Sequence, residues 1–335
     1  MIIDRARGCL LALAAGDALG RPAENLEPAE IARRFGRLTE IEPGGGGTDD
    51  TEYTLFAADL LCRYGAAMTP DDVAREYRER VLPAIAGPMR GAGFSELGAV
   101  QALRRGMAPP MTGRWHPHGW SDGLAMRAAP YGVFAAGDPA EAARLVEVDG
   151  AVSNSGEGLH GGRAVAAAVA AAMAGATPGE VAAAGVAAVP ADSWTGRNLR
   201  AAVAAAAAGD AGRLRQAVVV RHYPWTDLAP EAVALAFAAY LLGGGDVEES
   251  VVTAANLGRD ADTTAAIAGA LAGAGRGEGA VPDRWAREIG PATGRCLPFV
   301  AGRHVLDAAG GLVAAREREH GQGRAPSGSP HLDQG

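Results

Sequence analysis

Two segments of the chain combine carboxylates and hydroxyls in a pattern that can bind a metal ion. The first follows a run of four glycines and reads Thr48-Asp49-Asp50-Thr51. The second reads Asn256-Leu257-Gly258-Arg259-Asp260-Ala261-Asp262-Thr263-Thr264. Oxygen ligands at this density suit a hard divalent cation. We expect Mg²⁺, with Mn²⁺ as the alternative.

Helix capping is the competing explanation for each of these segments. Thr and Asp are favoured at helix N-caps, and acids in the first turn complement the helix dipole. Capping needs only one such side chain, however, whereas Asp49 and Asp50 are adjacent charges that repel each other. Because the pattern recurs near the other end of the chain, we predict one site, built by both segments, for one or two ions.

A third segment places two further acids beside glycines. It begins at Gly8, and its Ala- and Leu-rich stretch predicts an amphipathic first helix, since the apolar run is too short for a typical signal peptide. Asp17 and Glu24 follow at the end of this helix. Taken alone, each acid is better explained as a solvated surface group.

The composition excludes several classes of function. The net charge of −8 and the isoelectric point of about 5.4 argue against a nucleic-acid partner. Every basic side chain is Arg or His, which excludes Schiff-base catalysis and a P-loop lysine. Three widely spaced cysteines indicate free thiols in a reducing compartment. No stretch reaches the length of a membrane span, so we expect a cytoplasmic protein without membrane contact.

Helical periodicity dominates the chain. Apolar residues at i, i+3 and i+4 predict helices over about 4–17, 49–64, 70–81, 160–174, 194–208, 229–242 and 261–274. Thr69, Thr177 and Ser193 are cap-type residues that mark helix starts. The segment 216–220 gives the one suggestion of a strand. We therefore predict an all-α protein with a single compact domain over 1–315 and a polar, disordered tail over 316–335.

The three segments together resemble the ADP-ribosylglycohydrolase family, which includes the dinitrogenase-reductase-activating glycohydrolases. The resemblance lies in Gly-Asp-Ala-Leu-Gly with a following Glu, then Thr-Asp-Asp-Thr, then Asn-Leu-Gly-x-Asp-x-Asp-Thr, in this order over about 8–275. It implies an orthogonal all-α fold with a dinuclear Mg²⁺ centre. It also implies hydrolysis of the glycosidic bond at C1 of an ADP-ribose-type ribose.

The resemblance also implies roles for individual residues. The metal ligands by position are Thr48, Asp49, Asp50, Asp260, Asp262 and Thr263. Glu24 matches a mobile glutamate that some members carry over the metal site, and Asp17 becomes a supporting acid near the substrate. On this scheme water attacks C1 through an oxocarbenium-like transition state, and Glu24 or Asp50 accepts its proton.

Two further segments resemble the family less closely and supply candidate substrate contacts. The segment 119–127 matches a loop that approaches the diphosphate, and 153–162 matches a segment that often contains Ser/Thr-His. The candidates from these segments, with Arg259 of the second metal motif, are Ser121, Asp122, Gly123, Met126, Asn154, Ser155, Gly156, Glu157, Gly158 and Arg259.

The departures from the family pattern concern the substrate. Asp122 adds a negative charge where a diphosphate would approach, Asn154 replaces the histidine, and Arg259 replaces a glycine. The resulting Gly-Arg-Asp-x-Asp-Thr resembles a divergent branch of the family. Arg259 could pair with a phosphate or brace a carboxylate ligand. Two substrate classes therefore remain: ADP-ribose on a protein side chain, or a small N-riboside or ADP-ribosylated metabolite. The departures favour the second class slightly, and the oligomeric state is open.

Three other functions compete with this interpretation. Asp260, Asp262 and Thr264 fit the Asp-x-Asp-x-Thr motif of haloacid-dehalogenase-like phosphatases, but that motif should follow a buried strand near the N-terminus. A helical prenyl synthase would need Asp-Asp-x-x-Asp, whereas this chain has Asp-Asp-Thr-Glu. A binding or structural homologue without catalysis should have lost metal ligands, and all six are present.

Overall fold

The computed structural model describes residues 1–85, 93–209, 211–220 and 223–322, and its regular elements over these ranges are helices. The first half contains α1 (Ile2–Gly20), α2 (Pro28–Phe35), α3 (Asp49–Tyr64), α4 (Pro70–Glu76), α5 (Leu82–Ala84), α6 (Phe94–Arg104), α7 (Met111–Arg114), α8 (Gly123–Met126), α9 (Ala129–Phe134) and α10 (Pro139–Gly150). The second half contains α11 (Glu157–Met173), α12 (Pro178–Ala187), α13 (Trp194–Ala207), α14 (Ala211–Val218), α15 (Ala229–Leu242), α16 (Val247–Asn256), α17 (Ala261–Arg276), α18 (Asp283–Ala286) and α19 (Val305–Gln322). A π-helical turn at Tyr77–Val81 joins α4 to α5.

The prediction of an all-α protein is confirmed. Each helix expected from the periodicity lies on an observed helix, and the expected caps form. Thr69 and Thr177 each close a capping box, and the Ser193 hydroxyl accepts a hydrogen bond from the Gly196 amide. These helices begin where predicted because the cap side chains satisfy amides that the first turn leaves without intrahelical partners.

The suggestion of a strand over 216–220 was wrong. Helix α14 continues to Val218, and Leu214 and Val218 are both buried at helical i, i+4 spacing. Valine runs favour strands only when neighbouring strands offer a pleated surface to pack on. Here the described neighbours are helices α13 and α15.

The boundary predicted at residue 315 falls inside helix α19. The last turns of this helix remain tied to the rest of the domain. Arg316 donates to the Ala136 carbonyl at 3.3 Å, and Glu319 accepts from the Ala66 amide at 3.0 Å. These tertiary contacts stabilise a polar helical end that the composition alone assigns to a tail. The predicted tail beyond residue 322 lies outside the described residues.

Helix α1 differs from the expected amphipathic helix. From Gly8 to Gly20 all of its residues are buried, because the helix is surrounded by α17, α16, α19 and α3. Within the described part of the chain, no helix combines the length and apolarity that crossing a membrane requires.

Helices α1 and α17 run antiparallel in the centre of the domain, with their backbones in contact. A Cβ atom built on Gly16 would lie 2.2 Å from the Ala265 carbonyl oxygen, and one on Gly273 would lie 2.1 Å from the Gly8 carbonyl oxygen. Only glycine allows this approach at these positions. The contact therefore fixes the C-terminal end of α1 beside the N-terminal end of α17.

The close contact predicts opposite effects for two Gly→Ala substitutions in α17. Gly273→Ala should lower the free energy of unfolding by about 1–3 kcal/mol or more, because the new methyl group overpacks against α1. Gly275→Ala is the matched control, since its Cβ would meet nothing within 4 Å. Its higher helix propensity should leave stability unchanged or raise it by up to about 1 kcal/mol. Urea unfolding measures both changes, and equal effects would contradict the packing described.

Candidate metal centre

The end of helix α1 carries the side chain that organises the first metal motif. The Asp17 carboxylate accepts hydrogen bonds from the Thr48 amide at 2.8 Å, from the Thr51 amide at 3.1 Å and from the Thr51 hydroxyl at 2.5 Å. These amides belong to the first turn of α3. Asp17 therefore caps α3 from a neighbouring helix, and it does so with a side chain that is fully buried.

Helix capping does not account for the acids of the two motifs. Thr48 lies at the N-cap of α3 and Asp260 at the N-cap of α17, yet neither side chain makes a capping hydrogen bond. The carboxylate oxygens Asp50 Oδ1 and Asp262 Oδ1 are buried and have no hydrogen-bond partner. The acids of both motifs thus remain free to bind a ligand.

The two motifs meet at one point. One carboxylate oxygen each from Asp17, Asp50 and Asp262 lie within 4.8 Å of one another, and all three residues are buried. The Thr263 hydroxyl donates to Asp50 Oδ2 at 3.3 Å, which joins α17 to α3 directly. The Thr48 hydroxyl reaches the same oxygen at 3.4 Å.

The clustered acids strongly perturb one another. Burial raises the pKa of Asp50 well above its ordinary value, and the charges of Asp17 and Asp262 raise it further. Burial likewise raises the pKa of Asp262, with a further contribution from Asp260. Several carboxylates held this close in a desolvated site remain ionised only if a cation neutralises them.

A cavity of about 500 Å³ opens over this cluster. All six candidate metal ligands, Glu24 and several unpredicted residues line it: Arg21, Glu24, Asn25, Gly47, Thr48, Asp49, Asp50, Gly93, Phe94, Asp122, Met126, Pro224, Trp225, Thr226, Asp227, Asp260, Asp262, Thr263, Arg295 and Cys296. The structure thus brings together three chain segments that are far apart in sequence. It places them at the wall of a space large enough for a small molecule.

The residues present fit a divalent cation. The described donors near the unpartnered oxygens of Asp50 and Asp262 are carboxylates and hydroxyls, which are the ligands that Mg²⁺ and Mn²⁺ prefer. Asp17 differs from the others, because its oxygens already accept hydrogen bonds from α3. We therefore regard Asp17 as the residue that positions the cluster.

Of the predicted substrate contacts, only Asp122 and Met126 reach the cavity wall. The Asp122 carboxyl lies within hydrogen-bonding reach of Asp260, and its Oδ2 atom is buried without a partner. Burial, followed by the charge of Asp227, raises the pKa of Asp122 well above its ordinary value. Asp122 thus adds a further acid to the cavity.

The remaining candidates from the segment 153–158 support this wall from behind. The side-chain amide of Asn154 donates to the Ser121 carbonyl at 2.9 Å, and the backbone amide of Ser155 donates to the Gly119 carbonyl at 3.0 Å. A Cβ on Gly158 would lie 2.2 Å from the same Gly119 oxygen. The segment therefore holds the loop that presents Asp122, and it does not line the cavity.

Ser121, Gly123, Gly156 and Glu157 also have structural partners in place of cavity contacts. The Ser121 hydroxyl accepts from the Gly123 amide at 3.3 Å. Gly156 has φ of +54° and begins α11, a conformation that favours glycine. The Glu157 carboxylate accepts from the Trp194 and Thr195 amides at 2.9 Å each, and so caps α13.

Arg259 also lies behind the wall. Its guanidinium pairs with the buried carboxylate of Glu231, with Nε 2.5 Å from Oε1, and is only 10% exposed. The sequence left open that Arg259 pairs with a phosphate or braces a carboxylate ligand, and in the structure it braces a carboxylate of a different kind. That carboxylate belongs to α15 and is not one of the candidate metal ligands.

Two cavity segments were missed by the sequence analysis. Pro224–Asp227 precedes α15, and burial raises the pKa of Asp227 to about 6. The second segment contains Arg295 and Cys296, whose amides donate at 2.9 and 2.8 Å to the carboxylate of Glu52 on α3. Neither segment has a glycine-flanked cluster of acids and hydroxyls like those of the two metal motifs, so no local pattern distinguishes it from an ordinary loop.

Comparison with known proteins identifies the fold and the class. The family model described as ADP-ribosylglycohydrolase matches residues 1–321. A solved structure titled "ADP-ribosylglycohydrolase-related protein complex" superposes with a TM-score of 0.66 and 27% identity, covering 95% of this chain and 98% of that one.

Sequence relatives agree with this result. A protein of Archaeoglobus fulgidus without an assigned function is 30% identical over 294 residues, covering 84% of this chain and 90% of its own length. The ADP-ribosylarginine hydrolase Tri1 of Pseudomonas putida is 27% identical over 294 residues, covering 86% of this chain and 74% of its own length.

These results define an all-helical glycosidic hydrolase with an acidic cavity. The chain belongs to the ADP-ribosylglycohydrolase family. The resemblance expected from the three motifs is thereby confirmed, and the phosphatase, prenyl synthase and non-enzymatic alternatives are set aside.

The raised pKa values predict how pH and divalent cations affect stability. Carboxyls that stay protonated in the metal-free fold ionise in the unfolded chain near pH 4. The metal-free protein should therefore lose stability as the pH rises from about 4 to about 6, where Asp227 ionises in the folded protein. The loss should continue at higher pH, up to the raised pKa of Asp50. Mg²⁺ needs ionised ligands, so its stabilising effect should grow over the same range.

Thermal unfolding with and without Mg²⁺ at about pH 5 and about pH 8 tests this. At the higher pH, Mg²⁺ at about 100 times its Kd would raise the free energy of unfolding by about 2.7 kcal/mol. Asp262→Asn, which removes a charged ligand, should abolish the increment. An increment as large at pH 5 as at pH 8 would contradict the proposed linkage.

Proposed function

We propose that this protein is a Mg²⁺- or Mn²⁺-dependent hydrolase that cleaves the glycosidic bond at C1 of a ribose in an ADP-ribosylated or ribosylated substrate. The observation that carries this proposal is the pair of buried, unpartnered oxygens of Asp50 and Asp262. Asp50 and Asp262 belong to the two motifs and both line the cavity, and one carboxylate oxygen of each lies within 4.8 Å of one of the other.

The residues that would hold the ions are those at this floor: Thr48, Asp49, Asp50, Asp260, Asp262 and Thr263. Bound divalent ions would supply charge for orienting ribose hydroxyls and for lowering the pKa of a water molecule. Asp17 holds the α3 turn in place for these ligands, because it fixes the Thr48 and Thr51 amides.

Glu24 is our candidate for the general base, and Asp50 is the alternative. Glu24 lines the cavity, and its Oε1 atom accepts a hydrogen bond from the Asn25 side chain at 3.0 Å. Burial raises the pKa of Glu24, which makes its carboxylate a better proton acceptor. Asp50 is less suited to accept a proton, because its carboxylate would be a ligand of the proposed ions.

The wall chemistry bears on which substrate is used. The name of the Pseudomonas putida relative makes ADP-ribosylarginine the first substrate to examine. Asp122, with its free and buried oxygen on the cavity wall, argues for a small N-riboside or an ADP-ribosylated metabolite instead. Once bound cations keep the cavity acids ionised, a carboxylate at this position repels a diphosphate and favours a donor-rich or cationic group.

Loss of a proposed metal ligand should abolish turnover without loss of the fold. Asp50→Asn and Asp262→Asn should each lower Mg²⁺-dependent kcat/KM by about 10²-fold or more, since each removes a charged ligand. Asp71→Asn is the matched control, because Asp71 is exposed in the first turn of α4. Circular dichroism should show unchanged helix content in all three variants. Wild-type activity in either ligand variant would contradict the shared site.

A substrate panel separates the two substrate classes. ADP-ribosylarginine peptide and small N-ribosides such as nicotinamide riboside are incubated with the protein, with and without Mg²⁺. The release of ADP-ribose from the peptide and of ribose from the ribosides is measured. If Asp122 excludes a diphosphate, hydrolysis of the ribosides should be faster, and Asp122→Asn should shift the preference towards the ADP-ribosylated peptide. No hydrolysis of any compound, together with no Mg²⁺ binding by calorimetry, would overturn the proposed function.

A further inference from the structure

Arg259 adopts a backbone conformation that side chains rarely take. Its φ is +66°, in the left-handed region, directly after Gly258 with φ of +69°. A residue with a Cβ atom is strained there, and glycine is the usual occupant. The arginine at this strained position therefore calls for an explanation in terms of its contacts.

The backbone of Arg259 fixes the segment that carries Glu24. The Asn25 amide donates to the Arg259 carbonyl at 2.7 Å, and the Arg259 amide donates to the Leu26 carbonyl at 2.9 Å. These two bonds form an isolated antiparallel bridge between Leu26 and Arg259. They hold the residues beside Glu24 against the start of α17.

The guanidinium of Arg259 fixes a second segment of the cavity wall. Besides its pair with Glu231, it donates through Nη2 to the Trp225 carbonyl at 3.3 Å. The Thr226 hydroxyl then donates to the Asn25 side chain at 2.6 Å, which closes the connection between the two segments. One residue thus links the Glu24 segment, the Trp225 segment and the second metal motif.

The Trp225 segment has the features of a substrate wall. Trp225 lines the cavity, is 43% exposed and makes an edge contact with Phe94 at 6.0 Å between ring centroids. An exposed indole offers a rigid apolar surface to a bound molecule at small entropic cost. Its position depends on its backbone, and the Arg259 guanidinium holds that backbone at the Trp225 carbonyl.

We propose that Arg259 is a positioning residue that sets substrate affinity by holding the Trp225 segment and the Glu24 segment at the cavity. The proposal rests on the proposed function for its kinetic consequence. It assigns Arg259 no contact with substrate or ions. It also accounts for the left-handed arginine, because glycine would leave the Trp225 carbonyl and Glu231 without their cationic partner.

The test must separate a positioning role for Arg259 from a purely structural role in stabilising the fold. Glu231 is fully buried; its other described hydrogen-bond partner is the Val220 amide at 2.8 Å, and the charge of Arg215 also acts on it. Removing Arg259 alone would leave this buried charge without its ion-pair partner, which is destabilising. The test therefore uses the double variant Arg259→Gly/Glu231→Gln, with the single variant Glu231→Gln as its matched control. The glycine also relieves the backbone strain.

The kinetic experiment compares KM with kcat in the Mg²⁺-loaded protein. The double variant should raise KM for the best riboside of the panel by about tenfold, with a smaller change in kcat and an unchanged Kd for Mg²⁺. Glu231→Gln, which keeps the arginine, should change KM less. Arg259→Lys should keep only part of the affinity, because the single nitrogen of an ammonium cannot reproduce bonds made by two separate guanidinium nitrogens, Nε to Glu231 and Nη2 to the Trp225 carbonyl. Equal KM values in a folded double variant would overturn the proposal.

Hydrogen exchange supplies a readout that does not depend on activity. Peptides covering 223–229 should exchange faster in the double variant than in Glu231→Gln, while peptides from the middle of α17 should be unchanged. Unchanged exchange at 223–229 would refute the positioning role even if no substrate has been found. Faster exchange together with an inactive wild-type protein would support the positioning role and reject only the proposed hydrolase function.

Discussion

The antiparallel contact between α1 and α17 determines where the functional site can form. Their backbones approach too closely for any side chain at Gly16 and Gly273. The end of α1 is therefore held beside the start of α17. Asp17 leaves α1 at this point and caps α3, so that the acids of α3 face those of α17. Helix packing and a single buried carboxylate together build the cluster.

The contrast with the other buried acids shows why this cluster is a candidate for binding ions. Elsewhere in the described chain several buried acids are paired with arginine. Arg127 pairs with Glu96 and Asp149, and Arg259 pairs with Glu231. Arg21 and Arg295 line the cavity, but no described ion pair joins them to its acids. A cluster of buried acids without such pairs favours an external cation.

The supporting residues behind the cavity explain a further property of the site. Asn154, Glu157 and Arg259 match or neighbour positions that the resemblance associates with substrate, yet each bonds to protein groups. Asn154 and Arg259 hold the backbone of the loops that present Asp122 and Trp225, and Glu157 caps α13. Asn154 and Arg259 therefore act on the wall indirectly, through its backbone, whereas Asp122 lies on the wall itself.

The sequence by itself determined the helices and the acidic motifs. Helix periodicity, caps and the Thr-Asp-Asp-Thr and Asp-x-Asp-Thr patterns are local, and local energies are enough to specify them. Only the tertiary structure decided that Asp17 is the cap, that Arg259 faces Glu231, and that Trp225 and Asp227 join the cavity. The physical reason is that these contacts join residues far apart in the chain. Their partners are chosen by how the helices pack, which no local pattern records.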